Sequence, residues 1–425
     1  MGSLIIEGKG SIRGEITVSG NKNAALPAIA AALLTDEKVV LENLPDILDV
    51  RSMLDIAEML GAEVSFADNR AEICASNLTG SEIDREWCAK NRTSILFAAP
   101  LINRCGRAKL YPPGGDIIGR RRLDGHFYGL IQLGVQLKSD YAYLFQAPTR
   151  LQGRELFLDE ASVTATEQIV MAAVLAEGVT TLFNAASEPH VSDLCEMLNS
   201  MGGKISGIGS NTLVIEGVER LHGTTYAIKG DHIEAGSFLS LAAACGGEIT
   251  IRGIVPRHFW MTRRIFERLG ISMDIGSNHI FLPGGQIPEV KRDFDGQIPI
   301  IADGPWPQFA SDMMSCMIVT ATQARGTVLF FEKMFESRIY FVDRLISMGA
   351  NAIVCDPHRV VISGPSHLRG QTLASPDIRA GMALVIAAMC ADGTSKINCS
   401  EIIYRGYEHL VTKLLTIGGK IKEEQ

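Results

Sequence analysis

The stretch GNKNAALPAIAAALLTDE, Gly20 to Glu37, opens on polar and charged residues and continues as an alanine-rich apolar run. Five variants follow: NRTSILFAAPLINRCG from Asn91, ASVTATEQIVMAAVLAEG from Ala161, DHIEAGSFLSLAAACGG from Asp231, FASDMMSCMIVTATQARG from Phe309 and SPDIRAGMALVIAAMCADG from Ser375. Behind each comes an amphipathic stretch that ends in an apolar residue and glycine: LGAEV, LGVQL, MGGKI, LGISM, MGANA, IGGKI. Those glycines are Gly61, Gly134, Gly202, Gly270, Gly349 and Gly418, a period of about 70 residues that marks an internal repeat.

Runs such as AAALL and LAAAC have almost no polar face, and a helix apolar all round is a buried one. Their polar starts therefore face something other than the core. A helix start carries unpaired N–H groups and partial positive charge. Six such starts, several bearing Lys, Arg or Asp, suit a strongly anionic small molecule. In VRSMLDIAEMLGAEV, Val50, Met53, Leu54, Ala57 and Leu60 fall at helical spacing, which predicts an amphipathic second helix capped by Gly61. LVIEGV near Val214 and RVVISG near Val360 alternate as strands do. The unit reads as two helices and short strands, six times over. Units of this length close better as small α/β subdomains than as a solenoid.

The 425 residues suggest two or three domains, and 46% hydrophobic content is ample for large cores. A net charge of −8 argues against nucleic acid and anionic membranes as partners. No apolar run is long enough to span a bilayer, and MGSLIIEGKG lacks a signal-peptide pattern. Nine cysteines without a CxxC motif read as reduced thiols, so a cytoplasmic location is expected. Asn77-Leu-Thr79 and Asn91-Arg-Thr93 match the glycosylation sequon by chance on that reading. There is no Walker loop, Gly207-Ile-Gly209 lacks a dinucleotide-fold context, and no His/Cys cluster has metal spacing. His126, His190, His232, His358 and His409 are scattered and read as satisfied polar residues. No metal and no cofactor are expected.

YPPGGDIIGRRRLDGH, Tyr111 to His126, is the sharpest local feature. Two prolines, two glycines and Asp116 make a turn-rich loop followed by Arg120, Arg121 and Arg122. One reading is a solvated surface loop with its arginines paired to carboxylates. The other is a mobile lid, spanning 111–122, that carries an acid and anion-binding guanidiniums.

With this loop in view the chain resembles the enolpyruvyl transferases along its whole length. The ordered motifs are SGNKNAALP, GGDxIGRRRLD, SVTATE, SDM at Ser311, FESR at Phe335, DIRA at Asp377 and RGYE at Arg405. The resemblance implies a two-domain inside-out α/β barrel whose six subdomains are arranged three plus three, with the site in the cleft between the domains. The expected domains are 20–229, carrying the lid, and 1–19 with 230–425. The implied reaction transfers the enolpyruvyl group of phosphoenolpyruvate to the 3-hydroxyl of UDP-N-acetylglucosamine and releases phosphate by addition and elimination. It is the first committed step of peptidoglycan synthesis.

That chemistry needs cations for phosphate and carboxylate, an acid at C3 of phosphoenolpyruvate and a base at the sugar hydroxyl. By family position, Lys22 binds phosphoenolpyruvate and Asn23 hydrogen-bonds the substrates; without the family, they read as a surface lysine and an N-cap. Arg92, Arg121, Arg338, Arg379 and Arg405 are the other cations, since arginine presents a planar fork to oxyanions. Arg121 and Arg405 are assigned to the phosphate, Arg338 and Arg379 to carboxylate or phosphate. Asp312 matches the base, although aspartate there is also a routine helix cap. Asp377 is either a cap or a partner that holds an arginine. Arg92, Arg121, Leu123, Asp124, Ser162, Val163 and Met334 match the sugar-nucleotide side. Asp116 stands in the lid as the acid.

Most well-known members carry cysteine where this chain has Asp116. The two residue types have reference pKa values of about 8.5 and about 3.9, so an aspartate donates a proton only where closure excludes water. Glu160 replaces a frequent lysine near the diphosphate, His232 a frequent arginine, Thr164 a frequent glycine, Ser337 a frequent asparagine and Tyr404 a frequent aspartate. Two other readings compete: a transferase for another nucleotide acceptor, and a catalytically silent paralogue that binds UDP-sugar.

Overall fold

A computed structural model describes residues 2–116 and 118–424. Met1 and Gln425, at the ends of the expected second domain, and Ile117, inside the expected lid, lie outside the described residues. The chain splits into two compact units. One comprises Gly20–Asp116 and Arg121–Lys229; the other comprises Met1–Ser19, Ile117–Arg120 and Gly230–Gln425. Each has its own continuous apolar core.

The six apolar runs are helices in the core. In the first unit they form Lys22–Ala32, Ala98–Cys105 and Val163–Ala173. In the second they form His232–Ala244, Ser311–Thr322 and Ile378–Cys390. All 13 residues of His232–Ala244 are buried, as are all 13 of Ile378–Cys390. In the second unit these three helices pack on one another, and in the first Ala98–Cys105 packs on Val163–Ala173 while Lys22–Ala32 packs on the turn Arg92–Phe97 that begins the second run, because small alanine side chains let several apolar helices approach closely. Each large apolar side chain buried there contributes roughly 1.5–3 kcal/mol. The second run departs from a simple helix. It begins as a 3-10 helix, Arg92–Phe97, before turning α-helical at Ala98. Pro100 accounts for the change, since it has no N–H to donate to the Leu96 carbonyl.

The second helices of the repeats are Leu48–Met59, Asp124–Gln132, Pro189–Ser200, Trp260–Arg268, Val342–Met348 and Leu410–Thr416; all keep an exposed face except Pro189–Ser200, most of which is buried. The repeated glycine follows every one of them with positive φ, from +71° at Gly270 to +109° at Gly349. A residue with Cβ is strained there, and glycine ends the helix without that cost.

The strands form six open sheets among the described residues, and none closes on itself. Five are four-stranded, each with one edge strand parallel to its neighbour and the remaining pairs antiparallel. The sixth has three antiparallel strands, with a single parallel bridge from Glu82 to Lys109 where the others have a strand. The barrel character therefore belongs to helices packed inside sheets. Three sheets are completed from far along the chain. Thr225–Ala227 pairs with Val40–Glu42, Arg13–Thr17 pairs with Glu248–Arg252, and Ser3–Glu7 lies between Thr394–Asn398 and Lys420–Glu424.

Candidate active site

The residues singled out from the sequence fall into two groups, one in each unit. In the unit of residues 20–229, Asn21 caps the helix Lys22–Ala32 by accepting from the Ala24 N–H at 3.1 Å. The cap is thus Asn21 and not Asn23, which leaves Asn23 as the second helical residue. Lys22 is not a surface lysine: it is only 7% exposed. Its Nζ lies 2.8 Å from Asp49 Oδ2, and Asp49 is buried too. Sequence reasoning missed Asp49, which looks like any acid in the first turn of an amphipathic helix.

Arg92 follows the cap Asn91, whose side chain accepts from the Thr93 N–H at 3.0 Å. Arg92 Nη2 donates to the carbonyls of Arg121 and Arg122, each at 3.0 Å, and so braces the base of the lid. Burial, with the charge of Arg121 beside it, pushes the Arg92 guanidinium down to about 10. Gly115 has φ +110°, and a Cβ there would sit 3.0 Å from Arg92 Cβ and 3.5 Å from Arg121 Nη1. Asp116 thus follows a glycine whose backbone lies close to both arginines. Asp124 pairs with Arg122 at 2.8 Å in an exposed ion pair, and Leu123 is buried beneath. Ser162 occupies the N-cap position of Val163–Ala173 and donates its N–H to the Glu160 carbonyl at 2.8 Å. Glu160 itself is exposed. His126 is buried, 2.9 Å from Thr164 Oγ1, and burial pushes its imidazole down to about 3. It is a core residue satisfied at one ring nitrogen only, since its Nδ1 is buried and makes no hydrogen bond among the described residues.

In the other unit Asp312 does not cap its helix. It is the second residue of Ser311–Thr322, whose N-cap position is Ala310. Its carboxylate instead accepts from Arg338 Nη1 at 2.9 Å and from Arg379 Nη2 and Nε at 2.8 and 3.1 Å. Burial alone would raise the Asp312 carboxyl, but the two guanidiniums outweigh it and hold the group well below the usual carboxylate range. Asp312 is therefore ionised at neutral pH. Arg338 Nε and Arg379 Nη1 are buried and make no hydrogen bond among the described residues. Buried cationic donors left this way are costly unless an anion takes them. Arg338 also stacks over Phe335 at 4.9 Å, and Arg379 over Tyr407 at 5.6 Å.

Asp377 caps Ile378–Cys390, accepting the N–H groups of Arg379 and Ala380 at 2.8 and 2.9 Å. Its hold on Arg379 runs through the main chain. Arg405 ends a 3-10 turn, Ser400–Arg405, and is half-buried. Met334 is partly exposed on the turn between Phe331 and Arg338. In the same unit the lid residues Ile118 and Arg120 meet that turn: Ser337 N–H donates to the Ile118 carbonyl at 3.2 Å and Arg120 N–H to Glu336 Oε2 at 3.1 Å. Gly119 between them has φ +132°, and a Cβ would lie 2.2 Å from Glu336 Oε2. Gly119→Ala is expected to unseat this contact and lower kcat several-fold, while a thermal melt stays near that of the parent. His232, His258 and Trp306 meet edge to face, with ring centroids 5.7–6.3 Å apart. The position where relatives often carry arginine is thus an aromatic contact here.

Helices inside, small sheets outside and arginines at helix starts agree with the architecture of an enolpyruvyl transferase. A family model described as EPSP synthase (3-phosphoshikimate 1-carboxyvinyltransferase) matches residues 6–414. The enolpyruvyl transferase NikO from Streptomyces tendae superposes with a TM-score of 0.88 at 22% identity, covering 99% of this chain and 98% of that one. EPSP synthase from Acinetobacter baumannii superposes with a TM-score of 0.75 at 16% identity over 100% of both chains. Likeness at those identities defines the fold alone. Much higher identity links the chain to UDP-N-acetylglucosamine 1-carboxyvinyltransferases. The protein of Borreliella burgdorferi is 53% identical over 100% of this chain and 99% of its own. That of Treponema denticola is 52% identical over 99% of each, and that of Bradyrhizobium diazoefficiens 50% over 98% and 97%. The chain belongs to the carboxyvinyltransferase family, within its UDP-N-acetylglucosamine 1-carboxyvinyltransferase branch.

Proposed function

We propose that this protein transfers the enolpyruvyl group of phosphoenolpyruvate to the 3-hydroxyl of UDP-N-acetylglucosamine and releases phosphate, opening peptidoglycan synthesis. The observation that carries this reading is 53% identity over the full chain to a UDP-N-acetylglucosamine 1-carboxyvinyltransferase. The geometry supports it. Asp312, ionised between Arg338 and Arg379, takes the proton of the sugar hydroxyl. The open donors of those arginines, with Lys22, Arg121 and Arg405, hold phosphate and carboxylate. Asn23, Arg92, Leu123, Asp124, Ser162, Val163 and Met334 shape the sugar-nucleotide side. Asp116 delivers the proton to C3. Residues 20–229 and residues 1–19 with 230–425 act as two domains of three repeats each, and the soluble substrates put the work in the cytoplasm. Among the described residues no helix is long and apolar enough to cross a membrane.

The direct test is phosphate release from phosphoenolpyruvate with and without UDP-N-acetylglucosamine. Release that depends on the sugar nucleotide is expected; no release with any nucleotide sugar would leave a silent binding protein. The lid gives a second test. UDP-N-acetylglucosamine is expected to bind first and order residues 111–122, because water must be excluded before C3 is protonated. Protease cleavage near Gly114-Gly115 should slow when the nucleotide is added, and equal rates would count against an ordered lid.

A further inference from the structure

Asp303 and Glu332 stand side by side behind the candidate base. The strand Ile300–Ala302 runs parallel to Gly326–Phe331 with Ala302 opposite Phe331, so the next residue on each strand is one of this pair. Both are 0% exposed. Asp303 Oδ1 accepts the Lys333 N–H at 2.5 Å, Oδ2 meets no donor among the described residues, and the Asp303 carboxyl lies within hydrogen-bond reach of the Glu332 carboxyl. Glu332 accepts the Ser311 hydroxyl at 2.8 and 3.0 Å and the Phe335 N–H at 3.2 Å. Two carboxylates are acceptors only, so buried oxygens in contact need a proton between them.

We propose that Asp303 and Glu332 share one proton and act as a positioning pair for the reaction, holding the Ser311–Asp312 helix start and the turn that carries Arg338. The proposal rests on the transferase reading above. Glu332 ties both pieces together. Its carboxyl anchors Ser311, one residue before Asp312, and Phe335, three before Arg338. The charged and titratable groups around it are Asp303, Arg338 and, through its backbone carbonyl, the His358 ring at 2.7 Å. Burial and the contact with Asp303 push Glu332 up to about 9, against the pull of Arg338. While the proton stays, Arg338 keeps its charge for Asp312 and a substrate anion. Once it leaves, a second negative charge beside Arg338 competes for that guanidinium.

Glu332→Gln keeps the shape, offers an amide donor to the Asp303 carboxyl and has no proton to lose. Asp303→Asn does the same from the other side, so either variant decides if the other fails to fold. In the parent, KM for phosphoenolpyruvate is expected to rise at least about tenfold between pH 8 and pH 10 while kcat moves less. In each variant that rise should flatten. Identical KM–pH curves for parent and variants would overturn the proposal. Two readouts do not depend on turnover. Infrared difference spectra of parent minus variant at pH 7 should show a buried protonated carboxyl band that either substitution removes, distinct from any band of the buried Glu167, which stays in both; no band lost in either variant would also overturn the proposal. The native chain keeps a proton that the unfolded chain releases above the ordinary carboxylate range, so parent stability falls as pH rises toward 9. The melting temperature of Glu332→Gln should accordingly gain on the parent from pH 5 to pH 9. A protein inactive with every acceptor but showing this carboxyl would refute the transferase reading and leave the shared proton standing.

Discussion

Lys22→Met and Asp312→Asn are each expected to lose at least about a hundredfold in kcat, the size associated with a positioned base or a charge aimed at the transition state. Asp312→Asn removes the proposed base and leaves Arg338 and Arg379 facing an amide in place of a carboxylate. The ionised form of Asp312 also stabilises the fold, since its carboxyl is held below the unfolded value; that contribution is present above the ordinary carboxylate range and is lost on acidification. A lower melting temperature is therefore expected alongside the lost turnover. Lys22→Met carries a similar complication. It deprives buried Asp49 of the ammonium 2.8 Å away, and breaking such a pair costs about 3–5 kcal/mol. The double variant Lys22→Met/Asp49→Asn removes the orphaned charge. If lost stability were the whole effect, the double variant would recover turnover. Recovery would withdraw Lys22 from the chemistry, and near-parental phosphate release by Asp312→Asn would withdraw Asp312.

The second large effect concerns the epoxide fosfomycin, which alkylates the lid thiol of cysteine-bearing relatives. Asp116 offers a carboxylate instead, a far weaker nucleophile toward an epoxide than a thiolate. The protein is expected to turn over unimpaired after incubation with fosfomycin. Asp116→Cys is expected to acquire time-dependent inactivation and a covalent adduct at position 116, and its pH optimum should move with the new lid acid. Cys355 is exposed, so the adduct must be located by peptide mapping. Parental protein modified at Asp116 as fast as the cysteine variant is the outcome that sinks this account. Asp116→Ala should lose turnover if the residue protonates C3.

Much of the fold was legible because its signals are local. Alanine-rich runs announced the inner helices, and the six glycines announced the ends of the second ones, where every φ is positive. What stayed hidden depends on distant partners. Nothing around Thr225 says that it will pair with Val40, and no count of apolar residues shows that one sheet has three strands. Pro100 did carry a local signal for the 3-10 start of the second run, but the alanine pattern around it reads as one helix. In the candidate site, the family resemblance pointed to Lys22, Arg338, Arg379 and Asp312, of which Lys22, Arg379 and Asp312 lie in the polar helix starts. Their true state did not show. Asp312 looked like a cap and is clamped by two arginines, and Lys22 looked exposed and is buried. Asp49, Asp303 and Glu332 did not stand out at all, because an acid in sequence reads as solvated until the fold shows what covers it.

The strand Ser3–Glu7 occupies a central place in its sheet, hydrogen-bonded on one side to Thr394–Asn398 and on the other to Lys420–Glu424. During synthesis these residues precede both neighbours by a long stretch of chain, since both neighbours lie beyond Cys390. The 20–229 unit has all its own strands by Ala227 and can consolidate while the rest is still being made. Until both neighbours have been made, Ser3–Glu7 has two unpaired edges, which is an aggregation hazard.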